Sequence, residues 1–359
     1  MLSYVIRRLL LIVPTLIGIT ALVFSIVAMS PGGVGANLVS AEFGMRPAER
    51  EAMRKYYNDR YGLDRPYVVQ YLKWLNKVSP VGFRAAGAGA GGGGFGFKRP
   101  DLGESFVRGR SVAGLIGESL PITILLNVVS IPITYGIAVL AGIYAARNRG
   151  KILDVTSGTL FLGLWSFPVI LAGVLMIGFL ANRQYVKWFP AGGLTDVLAD
   201  AMPFLPGRDA SGAWQRGWLL DVAWHLVLPV ICLSYGSFAF LSKLARGAVL
   251  ENVQSDYVRT ARAKGVGERD VLMRHVLANS LIPLITVGAH ILPALITGSV
   301  VVEQIFSING MGKLTIDAIN TRDRELFLST TLVAGLLGLL GYLLADILYA
   351  VADPRVSYE

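Results

Sequence analysis

The sequence predicts an all-α membrane protein with six transmembrane helices, and three observations support this prediction. First, 53% of the 359 residues are hydrophobic and 16% are charged, whereas soluble domains carry about 25% charged residues. Second, the mean hydropathy is +0.56. Third, six windows lack Asp, Glu, Lys and Arg, each near the length of about 20 residues that spans the hydrocarbon as a helix. These properties exclude a soluble enzyme, a disordered chain and a fibrous protein.

The six windows are apolar on all sides rather than in alternation, so they predict helices and not barrel strands. They are Leu9–Met29, Ser119–Ala146, Val155–Ala181, Val222–Ser242, Leu281–Val302 and Leu326–Ala345. The first five contain proline, which packed membrane helices tolerate. Among these prolines are Pro14, Pro132, Pro168, Pro229 and Pro293.

The first window follows Arg7 and Arg8. Its apolar stretch is longer than the roughly 7–15 residues of a signal peptide, and no small-x-small cleavage site precedes Ser30. We therefore interpret it as an uncleaved anchor. The two arginines predict a cytoplasmic N-terminus by the positive-inside rule, and six spans return the C-terminus to the same side.

The charges of the short loops agree with this orientation. Predicted inside, the 147–153 turn holds three bases and no acid, and the loop after the fourth span holds seven bases against four acids. Predicted outside, the 182–221 loop balances four bases against four acids. The 30–118 loop exceeds the length of about 60 residues to which the charge rule applies. Within it we predict a helix over Pro47–Asn76 and a flexible glycine-rich insertion at 87–94.

Other kinds of site find no support in the sequence. The solitary Cys232 excludes a disulfide framework and a cysteine-based zinc site. Two glycine-containing segments, 87–92 and 310–313, lack the context of a dinucleotide or phosphate loop. The three histidines have no metal-ligand spacing, and no chain of intramembrane carboxylates suggests a proton relay. We predict no catalytic residue, no cofactor, no metal and no nucleic-acid partner.

The loop over 251–279 is the most informative segment. Between Ser255 and Gly265, a capping residue, helix-favouring alanines, a basic last turn and a final glycine predict a short helix between two spans. Helical spacing places Tyr257, Val258 and Ala261 on one apolar face. It places Arg259 and Arg262 on a basic edge. Two interpretations stay open from this spacing. The segment is a solvated positive loop, or it is a rigid helix that docks into another protein and moves its flanking spans.

The segment Thr260-Ala-Arg-Ala-Lys-Gly265 resembles the "EAA" loop of permease subunits in ATP-binding-cassette (ABC) importers, in the form used by dipeptide and oligopeptide permeases. Arg259 and Thr260 stand where the general motif has Glu and Ala. Further segments resemble the same family in order along nearly the whole chain. They are Tyr4–Thr15, Tyr61–Pro66, Asp101–Phe106, Ser119–Thr123, Phe306–Gly312 and Asp353–Arg355.

The resemblance implies the type I ABC importer permease fold and a pore-forming subunit that is not an enzyme. It implies a second permease subunit as a heterodimer partner, one or two ABC ATPase subunits, an extracytoplasmic solute-binding protein and a peptide substrate. The location would be the cytoplasmic (inner) membrane of a bacterium, in contact with membrane lipid. The implied ATPase-coupling residues are Tyr257, Arg259, Thr260, Ala261, Arg262, Lys264 and Gly265. No substrate-binding residue is predicted, and dipeptide, oligopeptide, antibiotic peptide, glutathione and nickel complex stay open as substrates.

The implied domains are an N-terminal tip with the first helix (1–29), an external loop region (30–112), a permease core (113–350) and a cytoplasmic tail (351–359).

Two other functions stay open, and each predicts a different experimental result. A self-sufficient channel or ion-coupled carrier would transport alone in liposomes, driven by a gradient. A membrane scaffold would leave peptide uptake unchanged when deleted, whereas an importer subunit would copurify with ATPases.

Overall fold

The computed structural model is built almost entirely of helices. It describes residues 2–29, 64–83, 94–208, 214–291 and 299–352, with isolated positions at 46–48, 51, 55 and 212. Several sequence predictions therefore lie outside the described residues. These are most of the glycine-rich insertion, the first part of the predicted Pro47–Asn76 helix, Pro293 and the segment Asp353–Arg355.

The first half of the chain contains two membrane-length helices, the first and the third, and three shorter ones. They are α1 (Leu2–Met29), α2 (Tyr67–Val78), α3 (Val112–Arg147), α4 (Ile152–Ser166) and α5 (Val169–Met176), which a π-helical turn continues over Ile177–Ala181. A 3-10 turn follows at Ala199–Ala201. Two short antiparallel ribbons pair β1 (Val81–Phe83) with β2 (Phe95–Phe97), and β3 (Gly207–Arg208) with β4 (Trp214–Gln215).

The second half contains the long helix α6 (Trp218–Val253) and the short helix α7 (Asp256–Ala263). A composite helix follows, made of α8 (Glu268–Asp270), a π-helical stretch (Val271–Leu277), α9 (Ala278–Ser280) and α10 (Ile282–Ile291). The last helices are α11 (Val300–Ile305), α12 (Met311–Asn320) and α13 (Arg324–Ala352).

Among the residues that the structure describes, five helices are long and apolar enough to cross a membrane, and α4 with α5 forms a sixth candidate if the bent pair is one span. The five are Ser3–Met29, Val112–Arg147, Trp218–Val253, Glu268–Gly288 and Arg324–Ile347. Each predicted window overlaps one of these helices or the bent pair. The fifth differs most, because its helix begins at Glu268, well before the window at Leu281.

The third window, predicted as one span, is divided by a sharp bend. The helix α4 ends at Ser166, Phe167 has an extended backbone (φ −88°, ψ 120°), and α5 leaves at 91°. Pro168 has no amide hydrogen with which to continue the helix. The Tyr235 hydroxyl donates a 2.9 Å hydrogen bond to the Phe167 carbonyl. This bond satisfies a backbone acceptor at the break, as burial in an apolar medium requires.

The chain forms two compact units, Met1–Ser119 with Leu314–Leu339, and Leu120–Lys313 with Leu340–Glu359. In the first unit, an apolar cluster joins α1, α2 and the start of α13, and its buried members are Phe24, Ala28, Trp74, Val78 and Leu328. Next to it, the guanidinium of Arg324 lies 4.7 Å from the ring centroid of Phe24. A cation over an aromatic ring is electrostatically favourable, so this contact stabilises the start of α13 against α1.

The second unit has an apolar core around α6, which includes Leu126, Leu226, Leu228, Phe306 and Ile308. The helices α3 and α6 approach each other closely at Gly142. A Cβ atom added there would lie 2.6 Å from the Ala245 Cβ and 2.7 Å from the Ser242 carbonyl oxygen. Both distances are shorter than van der Waals contact, so the helix packing requires glycine at this position.

A buried carboxylate caps the start of α12 within the second unit. Glu303 is 1% exposed and accepts 2.9 Å hydrogen bonds from the Thr123 hydroxyl and from the Lys313 amide. The Met311 amide in turn donates to the Thr123 oxygen at 2.8 Å. An acidic group that accepts from the first amides of a helix stabilises its N-terminus. Glu303 therefore stabilises the turn of the chain at which α12 begins.

Candidate functional site

The predicted short helix is present as α7, and its C-terminal end has the expected glycine. Gly265 has φ +78°, in the left-handed region that glycine enters without a steric penalty. The Val266 amide bonds to the Ala261 carbonyl at 3.2 Å, and the Gly265 amide bonds to the Arg262 carbonyl at 2.9 Å. These two bonds form a Schellman motif, which ends the helix sharply.

The N-terminal end of α7 differs from the expected capped start. Ser255 occupies the N-cap position with an extended backbone, but its side chain caps no amide of the helix. Its hydroxyl donates instead to the Asn252 carbonyl at 2.6 Å. The serine therefore stabilises the turn that joins α6 to α7.

The apolar face of α7 packs against its own chain. Val258 is 0% exposed and Ala261 is 7% exposed, whereas Tyr257, predicted on the same face, is 40% exposed. The cluster that encloses the two buried residues joins the ends of α3 and α6 to the π-helical stretch, and its other buried members are Ala146, Val249, Val271 and Val276. The helix is thus fixed to the ends of three membrane-length helices.

The opposite face of α7 is exposed and basic. The Arg259 side chain is 75% exposed, and Thr260, Lys264 and Gly265 are also exposed. Arg259 lies 3.7 Å from the carboxylate of Asp256, which is itself 97% exposed. A pair this exposed contributes about 0–1 kcal/mol, so these charges remain available to another protein.

A bidentate ion pair closes the turn between α7 and α8. The Arg262 Nε lies 2.8 Å from Glu268 Oε1, and its Nη2 lies 3.1 Å from Oε2. The hydrogen bond to the Glu268 carboxylate raises the pKa of Arg262 above its ordinary value. This planar, two-point geometry fixes orientation better than a single contact does. It links the C-terminal end of α7 to the first residue of α8.

A second bidentate pair joins the neighbouring helices. Arg246 on α6 donates to both carboxylate oxygens of Asp154 on α4, with Nε–Oδ1 and Nη2–Oδ2 both 2.7 Å. The Gly150 amide donates to the same carboxylate at 2.9 Å. Sequence reasoning missed this pair. The sequence signal for this pair was Asp154, a charged residue at the border of the third window that directly follows the basic 147–153 turn.

The arrangement can transmit force and offers no group for covalent chemistry. Among the described residues, no three side chains of His, Cys, Asp or Glu meet as metal ligands would. The exposed residues of α7 instead form a convex surface on a rigid base. Of the seven implied coupling residues, Ala261 packs inward, Arg262 binds Glu268 and the other five are exposed. Those five are Tyr257, Arg259, Thr260, Lys264 and Gly265.

The described chain is thus a helical membrane protein with a short basic helix between two of its membrane-length helices. The chain belongs to the family described as binding-protein-dependent transport system inner membrane component, whose model matches residues 138–358. A model of the N-terminal part of such membrane components matches residues 1–127.

Three relatives are similar over essentially their whole length. The oligopeptide transport system permease protein AppB of Bacillus subtilis (strain 168) is 35% identical over 360 residues, which is 100% of both chains. The inner membrane ABC transporter permease protein YejB of Escherichia coli O157:H7 is 32% identical over 391 residues, with 99% of each chain covered. The di/tripeptide transport system permease protein DppB of Pseudomonas aeruginosa (strain UCBPP-PA14) is 33% identical over 361 residues, with 100% of both covered.

Among solved structures, one of the MetNI methionine ABC transporter in inward-facing conformations is 16% identical to the chain, with a TM-score of 0.49. The aligned region covers 67% of this chain and 97% of the solved chain.

Family membership confirms the main sequence predictions. The chain is an ABC importer permease subunit, and it is a multi-pass inner membrane protein. It is not an enzyme, because ATP hydrolysis belongs to separate subunits. Its partners include those ATPase subunits and a solute-binding protein.

Proposed function

We propose that this chain forms one half of a heterodimeric pore that imports peptides of the dipeptide or oligopeptide class. A solute-binding protein delivers the peptide on the outer side, and ATPase subunits drive the pore from the cytoplasm. The peptide assignment is supported by the names of full-length relatives, which are an oligopeptide and a di/tripeptide permease. The divisions at 1–29, 30–112, 113–350 and 351–359 are the domains of this proposal.

The proposed orientation has the N-terminus, the C-terminus and the loop over 251–279 in the cytoplasm. The excess of basic residues in the 147–153 turn and after the fourth span supports this orientation, because such loops stay on the cytoplasmic side. It also follows from the function, since a loop that contacts an ATPase must lie where ATP is available.

Within this orientation, α7 is the coupling helix that docks on an ATPase subunit. The observation that carries this assignment is the division of α7 into a buried apolar face and an exposed basic face. Val258 and Ala261 fix it to the ends of three membrane-length helices, while Arg259 and Lys264 face outward. A displacement of the docked surface is then transmitted to the spans as a rigid-body motion.

The test is purification of the tagged full-length chain from its native membrane in mild detergent, followed by mass spectrometry of the accompanying proteins. We expect a second permease and one or two ATPases. The variant Arg259→Glu should reduce ATPase recovery severalfold and leave recovery of the second permease unchanged. Reversal of an exposed charge changes interface complementarity while costing little stability.

The matched control is Arg149→Glu, which reverses another exposed charge, in the 147–153 turn. It should retain the ATPases. If the intact chain purifies without ATPases and transports alone in liposomes, it is a self-sufficient carrier and the proposal is wrong. If both variants lose the ATPases equally, the coupling surface does not lie on α7.

A further inference from the structure

A cavity of about 640 Å³ lies beside α7 within the second unit. It is enclosed by the ends of α3 and α6, by α7 and by the first turns of the composite helix. Six of its lining residues are apolar, namely Ala146, Val249, Leu250, Val253, Leu272 and Met273. The volume lies within the range of about 300–1,000 Å³ typical of small-molecule sites.

The polar lining is predominantly basic. Arg147, Arg262 and Arg269 line the cavity together with a single acid, Glu268. Glu268 is already engaged by Arg262 in the bidentate pair. Arg147 and Arg269 are exposed, and neither has an acidic partner within 4 Å among the residues that the structure describes. The cavity therefore presents two guanidinium groups that are free to bind an anion.

The combination of an apolar lining and free arginines restricts the chemistry of the ligand. A soluble anion would use the guanidinium groups and leave the apolar lining exposed to water. An uncharged hydrophobic molecule would bury the lining and leave the arginines without partners. A lipid with a phosphate in its headgroup matches both parts, because guanidinium binds phosphate through paired hydrogen bonds.

The position of the cavity supports the same ligand class. Arg147 is the last residue of α3, and Val253 is the last of α6, so the cavity lies at the ends of two membrane-length helices, beyond the charge-free windows that end at Ala146 and Ser242. Basic pockets between transmembrane helices on the cytoplasmic side are suited to acidic lipid headgroups. This step rests on the proposed function, because it takes α7 and its neighbours to be cytoplasmic.

We propose that this cavity binds the headgroup of an anionic phospholipid of the cytoplasmic leaflet, with the phosphate between Arg147 and Arg269. The glycerol backbone next to the headgroup packs on Leu250 and Val253. A lipid bound there contacts the ends of α3 and α6 and the coupling helix itself. Occupancy of the site then links the composition of the membrane to the position of α7.

The test uses the full-length chain purified with its accompanying subunits and studied by native mass spectrometry. Dioleoyl phosphatidylglycerol and dioleoyl phosphatidylcholine are titrated separately. We expect preferential binding of phosphatidylglycerol, and about a tenfold weaker affinity in the double variant Arg147→Gln/Arg269→Gln. Both side chains are exposed, so the variant should fold, which its thermal unfolding temperature verifies.

The matched control is Arg149→Gln/Lys151→Gln, which removes two positive charges from the turn next to Arg147 without altering the lining. It should keep the wild-type preference. Equal affinity for the two lipids would overturn the inference, and so would an equal loss in the control, which would indicate general attraction to a basic surface. A third arm adds soluble glycerol phosphate. If that anion displaces phosphatidylglycerol at equal concentration, the cavity is an anion site and not a lipid site.

This experiment is independent of the test of the proposed function. Recovery of ATPases together with absence of a lipid preference would refute only the lipid site. Failure to recover ATPases would refute the coupling role and leave the measured lipid affinity interpretable as a property of the chain.

Discussion

The carboxylate of Asp154 and the guanidinium of Arg246 face each other with two hydrogen bonds of 2.7 Å, although they are 92 residues apart in the sequence. They join the first turn of α4 to the C-terminal half of α6. The pair is partly buried, with the Asp154 side chain 10% and the Arg246 side chain 33% exposed. It therefore contributes to the rigid base on which α7 is fixed.

The variant Asp154→Asn should lower the free energy of unfolding, because a charge-assisted bidentate contact is lost and Arg246 keeps its charge. Thermal unfolding of the purified chain in detergent measures the change. The control is Asp256→Asn, whose side chain is 97% exposed, and its effect should stay within about 0.5 kcal/mol. Similar effects of the two changes would contradict a specific role of the pair.

The close contact between α3 and α6 gives a second prediction. Gly142→Ala should destabilise the chain by about 1–3 kcal/mol, since the added methyl group overlaps Ala245 and the helices must separate. Gly136 lies on the same helix and has no atom within 4 Å of an added Cβ. Gly136→Ala should be neutral or stabilising by up to about 1 kcal/mol, because alanine favours the helix. Thermal unfolding of the two variants side by side distinguishes crowding from a general effect of the substitution.

The bend between α4 and α5 gives a third prediction. Tyr235→Phe removes the hydroxyl that donates to the Phe167 carbonyl and leaves this acceptor without that bond. We expect a loss of about 1 kcal/mol in the free energy of unfolding. Tyr144→Phe removes a hydroxyl from a residue that is 56% exposed, and it should have little effect. An unchanged unfolding temperature in Tyr235→Phe would mean that the bend is stable without the tyrosine.

The proposed orientation predicts which side of the membrane each loop occupies. Val197 is 96% exposed in the loop after the third span, and Lys264 is exposed at the end of α7. In a Cys232→Ala background, Val197→Cys should react with a membrane-impermeant maleimide in right-side-out vesicles. Lys264→Cys should react only in inside-out vesicles. The opposite pattern would reverse the topology and remove α7 from the side where an ATPase acts.

The sequence was sufficient to locate the spans and the end of α7, because both depend on local properties. A window without charge is visible in the residues themselves. The left-handed residue that ends α7 needs only Gly265 and its neighbours. Which residues of α7 are buried could not be predicted from the local sequence. Periodicity placed Tyr257 with Val258 and Ala261, but burial follows from the three helices that converge on the last two.

The division of the third span was not predictable, because proline alone does not decide whether a helix breaks. The helices α1, α3 and α6 continue through proline, at Pro14, Pro121, Pro132 and Pro229. Within the described ranges, a sharp bend between two span-forming helices, of 91°, occurs only at Pro168, and there Tyr235 supplies a hydrogen bond from 68 residues away. The same limit applies to Glu303, whose partner Thr123 lies 180 residues earlier. Contacts at such separations require the fold.

The π-helical stretch over Val271–Leu277 has an evolutionary consequence. A π-bulge within an α-helix corresponds to one inserted residue that is accommodated by a locally wider turn. Deleting one residue from an ordinary helix rotates everything beyond it by about 100°. Within 271–277, a deletion would instead restore regular α-helix and keep both flanking faces in phase. This segment is therefore where the composite helix can change its length by one residue without rotating α7 relative to the helix beyond it.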